Sequence, residues 1–262
     1  MELRLAALKA LQLAEPAHKA AAALALHPAL DAALDPQAAL FCDAPLPGRT
    51  GRPALVPPSE VKHRSPFTPA GRSALLHAVA HIELNAINLA LDAVWRFAGM
   101  PSAYYRDWLR VAHEEAKHFS LLAEHLATLG HCYGDFCAHD GLWEMTSATA
   151  GDITARMALV PRTLEARGLD ATPPMQAKLR KAGDLRAVAI LDIILHDEVG
   201  HVAIGNFWYR WLCNRDGLDP VQHYRTLAKT YRAPRPKPPF NLEARARAGF
   251  SADELAALSA PD

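Results

Sequence analysis

The hexapeptide HEEAKH at His113–His118 returns as HDEVGH at His196–His201. Each copy sets a Glu three residues before a His, Glu115 before His118 and Glu198 before His201. Such a carboxylate and imidazole share one face if the segment is α-helical. The neighbours oppose a solvated face: Ala112, Ala116, Phe119 and Leu122 around the first copy, Leu195, Val199 and Val202 around the second. The register extends further. Glu115 and Glu198 stand 83 residues apart, as do His118 and His201, and Glu83 and Glu165 stand 82 apart. One helical hairpin carrying a Glu and a Glu-x-x-His is thus expected twice, as a pseudo-two-fold pair.

The rest of the chain fits helix. Half of its 262 residues are hydrophobic, with Ala and Leu dominant, and these lose little entropy in a helix. The predicted fold is all-α. Residues 1–34 read as helical, and seven prolines between 43 and 69 predict an extended wrap. Thr68-Pro69 starts a helix that runs to about Phe97, and Ser102 caps a second that ends near Leu129. A third spans about Met145 to Arg167, with a kink at Pro161. "RGLDATPP" (Arg167–Pro174) is expected to break it just past Glu165, before helix resumes over Met175–Gly183. A fourth, capped by Asp184, ends near Cys213. Four such helices suit an antiparallel four-helix bundle over residues 66–215. An N-terminal helical segment and proline-rich wrap (1–65) precede it. A C-terminal helix from Pro220 and a basic, proline-rich tail (216–262) follow.

The chemistry follows from the ligand types. Glu83, Glu115, His118, Glu165, Glu198 and His201 make four carboxylates and two imidazoles, the set used by di-iron and di-manganese carboxylate bundles. Four negative charges offset two divalent ions, and imidazole favours iron over magnesium or calcium. The expected cofactor is two iron ions, with Mn/Fe or Mn as alternatives. Glu83 and Glu165 are expected as terminal ligands, Glu115 and Glu198 as bridging ones. Metal-bound His commonly donates its other N–H to a carboxylate. Asp197 is read in that role, and Glu114 equally as such an acid or an exposed one. His81, His113 and His196 lie about 200° around the helix from the ligands and are read as packing or surface residues. Glu144 and Asp152 do not match the repeat offset. Arg156 and Arg162 are read as partners of buried acids or surface groups. Gly200, Ala203 and Gly205 leave either room for a substrate or a close helix contact.

In this set of residues the chain resembles the ferritin-like di-iron superfamily. The stretches "AHIELNAINLALDAVWRF", "EARGLDATP" and "DEVGHVAIGNFWY" resemble a bacterial ferritin-like family of unknown function, distantly related to MiaE, the tRNA-modifying di-iron hydroxylase. The resemblance implies a ferritin-like four-helix bundle with the six ligands above. It further implies an O2-activating oxidase or monooxygenase acting on a small organic substrate. The alternatives are a ferroxidase-like or peroxide-consuming iron-handling protein, and a scaffold whose metal only stabilises the bundle. The radical-generating subunit of ribonucleotide reductase carries a Tyr where this chain has Leu122, so a tyrosyl radical is not expected there.

The expected partners are O2, a small-molecule substrate and an electron-donating reductase. The formal net charge is zero, which speaks against a broad nucleic-acid surface. The resemblance keeps tRNA open, with Lys229, Arg232, Arg235, Lys237, Arg245 and Arg247 as the basic patch. No apolar run of membrane-spanning length is read, so no membrane is expected. No zinc-type cysteine spacing is found, and a cytoplasmic protein with free thiols is expected. The oligomeric state is open, a homodimer being one option.

Overall fold

The structure is a computed structural model that describes residues 2–26, 33–62 and 64–259. It is all-α, with no strand among the described residues. The chain's internal contacts fall into two compact units. One is Met1–Trp143 with Lys181–Ile190; the other is Glu144–Arg180 with Leu191–Asp262.

In the first unit, α1 (Leu3–Gln12) and α2 (Pro16–Ala25) precede the long helices α3 (Pro69–Arg96) and α4 (Ser102–Thr128). The single helical segment expected over 1–34 is therefore two helices, split where Pro16 takes the first turn of α2. Residues 27–32 of that expectation lie outside the described residues. Thr68 caps α3 through a bond from the Gly71 N–H to its Oγ1, with Pro69 in the first turn. Pro101, not Ser102, is the N-cap of α4, and it offers no side-chain cap. Gly130 takes a positive φ past the end of α4, a conformation that costs glycine little. The five-residue link 97–101 turns α4 back along α3, and the two pack against each other. Their shared core holds Leu76, Ala80, Ile87 and Leu91 of α3 with Trp108, Leu109, Ala112 and Leu122 of α4.

Arg4 of α1 closes the C-terminal end of α3. Its guanidinium donates to the Trp95 carbonyl at 2.8 Å, and to the Ala38 carbonyl at 2.8 Å. The proline-rich wrap is extended, with a short 3-10 turn at Pro58–Glu60. It is pinned by the Gly48 N–H to the Leu11 carbonyl, by Arg49 to Asp140, and by Arg52 to Asp135. α3 is long and apolar enough to cross a bilayer by length and composition alone, where the sequence reading found no apolar run of that length. However, 78% of its most apolar stretch is buried inside the protein.

In the second unit the third predicted helix takes a different form. A short helix α5 (Gly141–Ala148) is followed by α6 (Ile153–Leu159), capped by the Asp152 carboxylate. The backbone then widens into a π-helical turn over Val160–Glu165 and continues as α7 (Ala166–Lys181). Pro161 lies in the π turn, where an α-helical ladder would lose its N–H. Thr163 Oγ1 instead donates to the Ala158 carbonyl at 2.8 Å.

The expected break at "RGLDATPP" does not occur, since Pro173 and Pro174 sit inside α7. Pro173 has no N–H for the Leu169 carbonyl four residues back. Asn241 Nδ2 supplies the missing donor at 3.2 Å. Arg245, just beyond, pairs with Asp170 at 2.6 Å and donates to the Ala166 carbonyl. The tail thus supplies a donor for the carbonyl that Pro173 leaves open.

The helix α8 (Leu185–Arg215) is capped by Asp184, whose carboxylate accepts from the Ala187 N–H. The chain ends in α9 (Pro220–Thr230), α10 (Leu242–Arg247) and α11 (Ala252–Ser259). Ala166, Leu169, Val202, Ala244 and Ala248 form one buried cluster of this unit. Arg245 is buried and committed to Asp170, so it leaves the basic patch that the sequence suggested. Lys229, Arg232, Arg235, Lys237 and Arg247 are exposed.

Gly205 of α8 has a packing reason. A Cβ built there would meet Pro161 Cβ at 2.5 Å and Cγ at 2.6 Å. A Cβ at Gly200 would meet nothing within 4 Å. Gly205→Ala is expected to destabilise the protein by roughly 1–3 kcal/mol through overpacking. Gly200→Ala is expected to be neutral or to stabilise by up to about 1 kcal/mol through helix propensity. Chemical denaturation of both variants checks the contrast.

Candidate metal centre

Glu83 of α3 faces the Glu115/His118 pair of α4. These side chains are 3%, 0% and 0% exposed. His118 Nδ1 lies 3.2 Å from Glu83 Oε2 and 3.3 Å from Glu115 Oε2. One ligand atom from each of the three can be chosen so that all lie within 4.8 Å of one another. The sequence placed these three residues on two helices, and the fold brings them together in the core of one unit.

The electrostatics are those of an ion site. Burial pushes the Glu83 carboxyl well above the usual carboxylate range, and the neighbouring Glu115 pushes it further. The hydrogen bond and charge of His118 oppose this. Without a cation, Glu83 is held towards its protonated form, because two carboxylates cannot both ionise cheaply in a dry site. A divalent cation reverses this balance. Two carboxylate oxygens and one imidazole nitrogen also suit iron or manganese in donor type. The residues present therefore fit the implied metal.

In the second unit Glu165 closes the π turn, and Glu198 and His201 lie one turn apart on α8. All three are buried. His201 Nδ1 is 3.9 Å from Glu198 Oε1. The π turn changes the facing of residues beyond it by about one residue, and such turns recur at functional sites. Glu114 and Asp197 are both half-buried.

The remaining polar candidates have other employment. His81 is buried: the Tyr133 hydroxyl lies 2.7 Å from its Nδ1, and the His139 carbonyl 3.2 Å from its Nε2. Burial, with the nearby Arg49 charge, lowers its pKa to about 4, so it is neutral. His113 contacts the Leu24 carbonyl at 3.2 Å, and His196 is exposed. Glu144 is exposed. Arg156 is buried and donates to Thr149 Oγ1 and the Thr146 carbonyl. Arg162 is held by Asn206 and Glu254. Gly205 serves the close contact with Pro161 described above. Sequence reasoning missed Lys19, which is buried beside His81 and Tyr133 in the wall of a cavity. Its only signal was a lysine set in an alanine-rich helix.

A protein-family model described as "Protein of unknown function (DUF455)" matches residues 11–256. The chain belongs to the DUF455 family. An uncharacterised Haemophilus influenzae protein is 56% identical over 211 residues, covering 78% of this chain and 73% of its own length. No solved structure matches. The metal-ligand candidates Glu83, Glu115, His118, Glu165, Glu198 and His201 all fall inside the DUF455 match.

Glu83→Gln copies the shape of a protonated Glu83. In the metal-free DUF455 protein it is expected to leave the melting temperature unchanged or raised by a few degrees. The same variant is expected to bind ferrous iron at least tenfold more weakly. Thermal melts of metal-stripped protein and equilibrium metal titration check the two halves.

Proposed function

We propose that α3, α4, the α6–α7 run and α8 form a ferritin-like antiparallel four-helix bundle that holds two iron ions. Glu83, Glu115, His118, Glu165, Glu198 and His201 would be the ligands. The observation that carries this reading is the buried Glu83–Glu115–His118 cluster, an arrangement of like charges that a cation would stabilise. The matching register of Glu165, Glu198 and His201 supports a second half. The protein is then an O2-activating oxidase or monooxygenase acting on a small organic substrate.

Bound ferrous iron would supply the electrons that reduce O2, which no protein side chain does readily. Hydroxylation puts one oxygen atom of O2 into a substrate C–H bond and reduces the other to water. The C–H bond would give two of the four electrons, and the other two would reach O2 through the iron from a reductase partner, with two protons from solvent completing the water. The chain's own contribution is to fix the ligands and keep the surroundings dry. Trp108, Leu109, Ala112, Ala116 and Leu122 line α4 with no exposed surface, which suits that task. Asp197 and Glu114 would orient ligand imidazoles. The free thiols of Cys42, Cys132, Cys137 and Cys213 fit a cytoplasmic setting.

Protein purified without added metal is expected to carry iron at about two ions per chain. Its ferrous form is expected to consume O2. Glu115→Ala and Glu198→Ala are each expected to lose most of that iron and the O2 uptake. Full metal content in both variants would contradict the ligand set. Rapid O2 uptake that deposits ferric iron in excess of two ions per chain would favour iron handling instead.

A further inference from the structure

A second polar site lies in the first unit, on the face of α3 turned away from Glu83. A cavity of about 40 Å³ is lined there by Lys19, Arg49, Arg52, His81, Asn85 and Tyr133, among others. That is room for roughly three water-sized atoms. Among the described residues, three cations and no carboxylate line this cavity. Arg49 is answered by Asp140 at 2.6 Å; Arg52 meets Asp135 at 3.0 Å through one nitrogen and keeps other guanidinium N–H groups for a ligand.

Lys19 is different. It is 1% exposed, and among the described residues the acceptors of its Nζ are both uncharged: the Gly48 carbonyl at 2.8 Å and Asn88 Oδ1 at 2.7 Å. Two acceptors also leave the third ammonium hydrogen for a ligand. Burial, with the nearby Arg49 charge, lowers the Lys19 pKa to about 7. A buried ammonium with no counter-charge is costly, and one bound anion would relieve that cost. The neighbouring imidazole does not compete, since His81 is already bonded to Tyr133 and the His139 carbonyl.

A larger cavity of about 460 Å³ shares Pro16, Thr50, Arg52 and Tyr133 with this one, and adds Phe119 and Ala123. The small cavity offers one positive charge in a space fit for two oxygens. The larger one, whose lining also includes Glu15, offers the aromatic and aliphatic wall of Phe119, Ala123 and Tyr133. We propose that the two together bind an organic carboxylate, its head group on Lys19 and Arg52 and its carbon body along Phe119 and Tyr133. This site is separate from the metal ligands and does not depend on their occupancy.

The test is calorimetric titration of the full chain with sodium hexanoate, alongside acetate, hexanol, hexylammonium and inorganic phosphate at equal ionic strength. Hexanoate is expected to bind one per chain, at least tenfold tighter than acetate or hexanol, with no binding of hexylammonium. Lys19→Met is expected to weaken hexanoate at least tenfold with helix content unchanged. Arg52 is 71% exposed at its side chain, so Arg52→Gln should fold even if Lys19→Met does not; it is expected to weaken hexanoate about threefold or more. Equal affinity for hexanol, tighter binding of phosphate, or hexanoate affinity unchanged in the folded variants would overturn the proposal.

Discussion

Two carboxylates, Glu83 and Glu115, share a buried site with one imidazole between them. Much of the first unit is organised around that constraint. Buried like charges are tolerated only when a proton or a cation offsets them. Here the rise in the Glu83 pKa indicates the proton solution, and the donor set indicates the cation solution. The aromatic and aliphatic residues of α3 and α4 enclose the cluster, Arg4 fastens the end of α3, and the proline-rich wrap is tied down by Arg49 and Arg52. A rigid, dry pair of helices makes a charged core costly when empty and well suited to metal when filled.

The second unit solves a different problem, which is how to carry Glu165 on a segment rich in helix breakers. Pro161, Pro173 and Pro174 each remove an N–H from the ladder. The π turn takes up Pro161, Thr163 bonds the Ala158 carbonyl, and Asn241 bonds the Leu169 carbonyl. The C-terminal tail therefore belongs to the architecture beneath Glu165, through Asn241, Arg245 and Glu254, and is not a free basic arm. Gly205 is small because Pro161 occupies the space a Cβ would need.

Much of this was legible in the sequence. Period and spacing gave the four long helical regions. Caps at Thr68 and Asp184 and the glycine at 130 marked their ends, because capping is local chemistry. Glu83, Glu115 and His118 were legible since i, i+3 spacing on a buried face is itself a geometric statement. What escaped depends on distant partners. The donor for the carbonyl that Pro173 leaves open is Asn241, about 70 residues on. The Lys19 cavity needs the wrap, α3 and the 131–140 loop together. The resemblance to ferritin-like di-iron proteins supplied the reading of oxygen chemistry, which family membership and fold class leave as a proposal.

On the proposed reading, the two repeats would furnish halves of one dinuclear centre. Electron paramagnetic resonance of iron-loaded protein reduced by one electron tests it most directly. A coupled pair predicts a mixed-valence spin-half signal with average g below 2, lost in both Glu115→Ala and Glu198→Ala. Signals of isolated high-spin ferric ions alone, in protein holding two irons per chain, would contradict a shared centre.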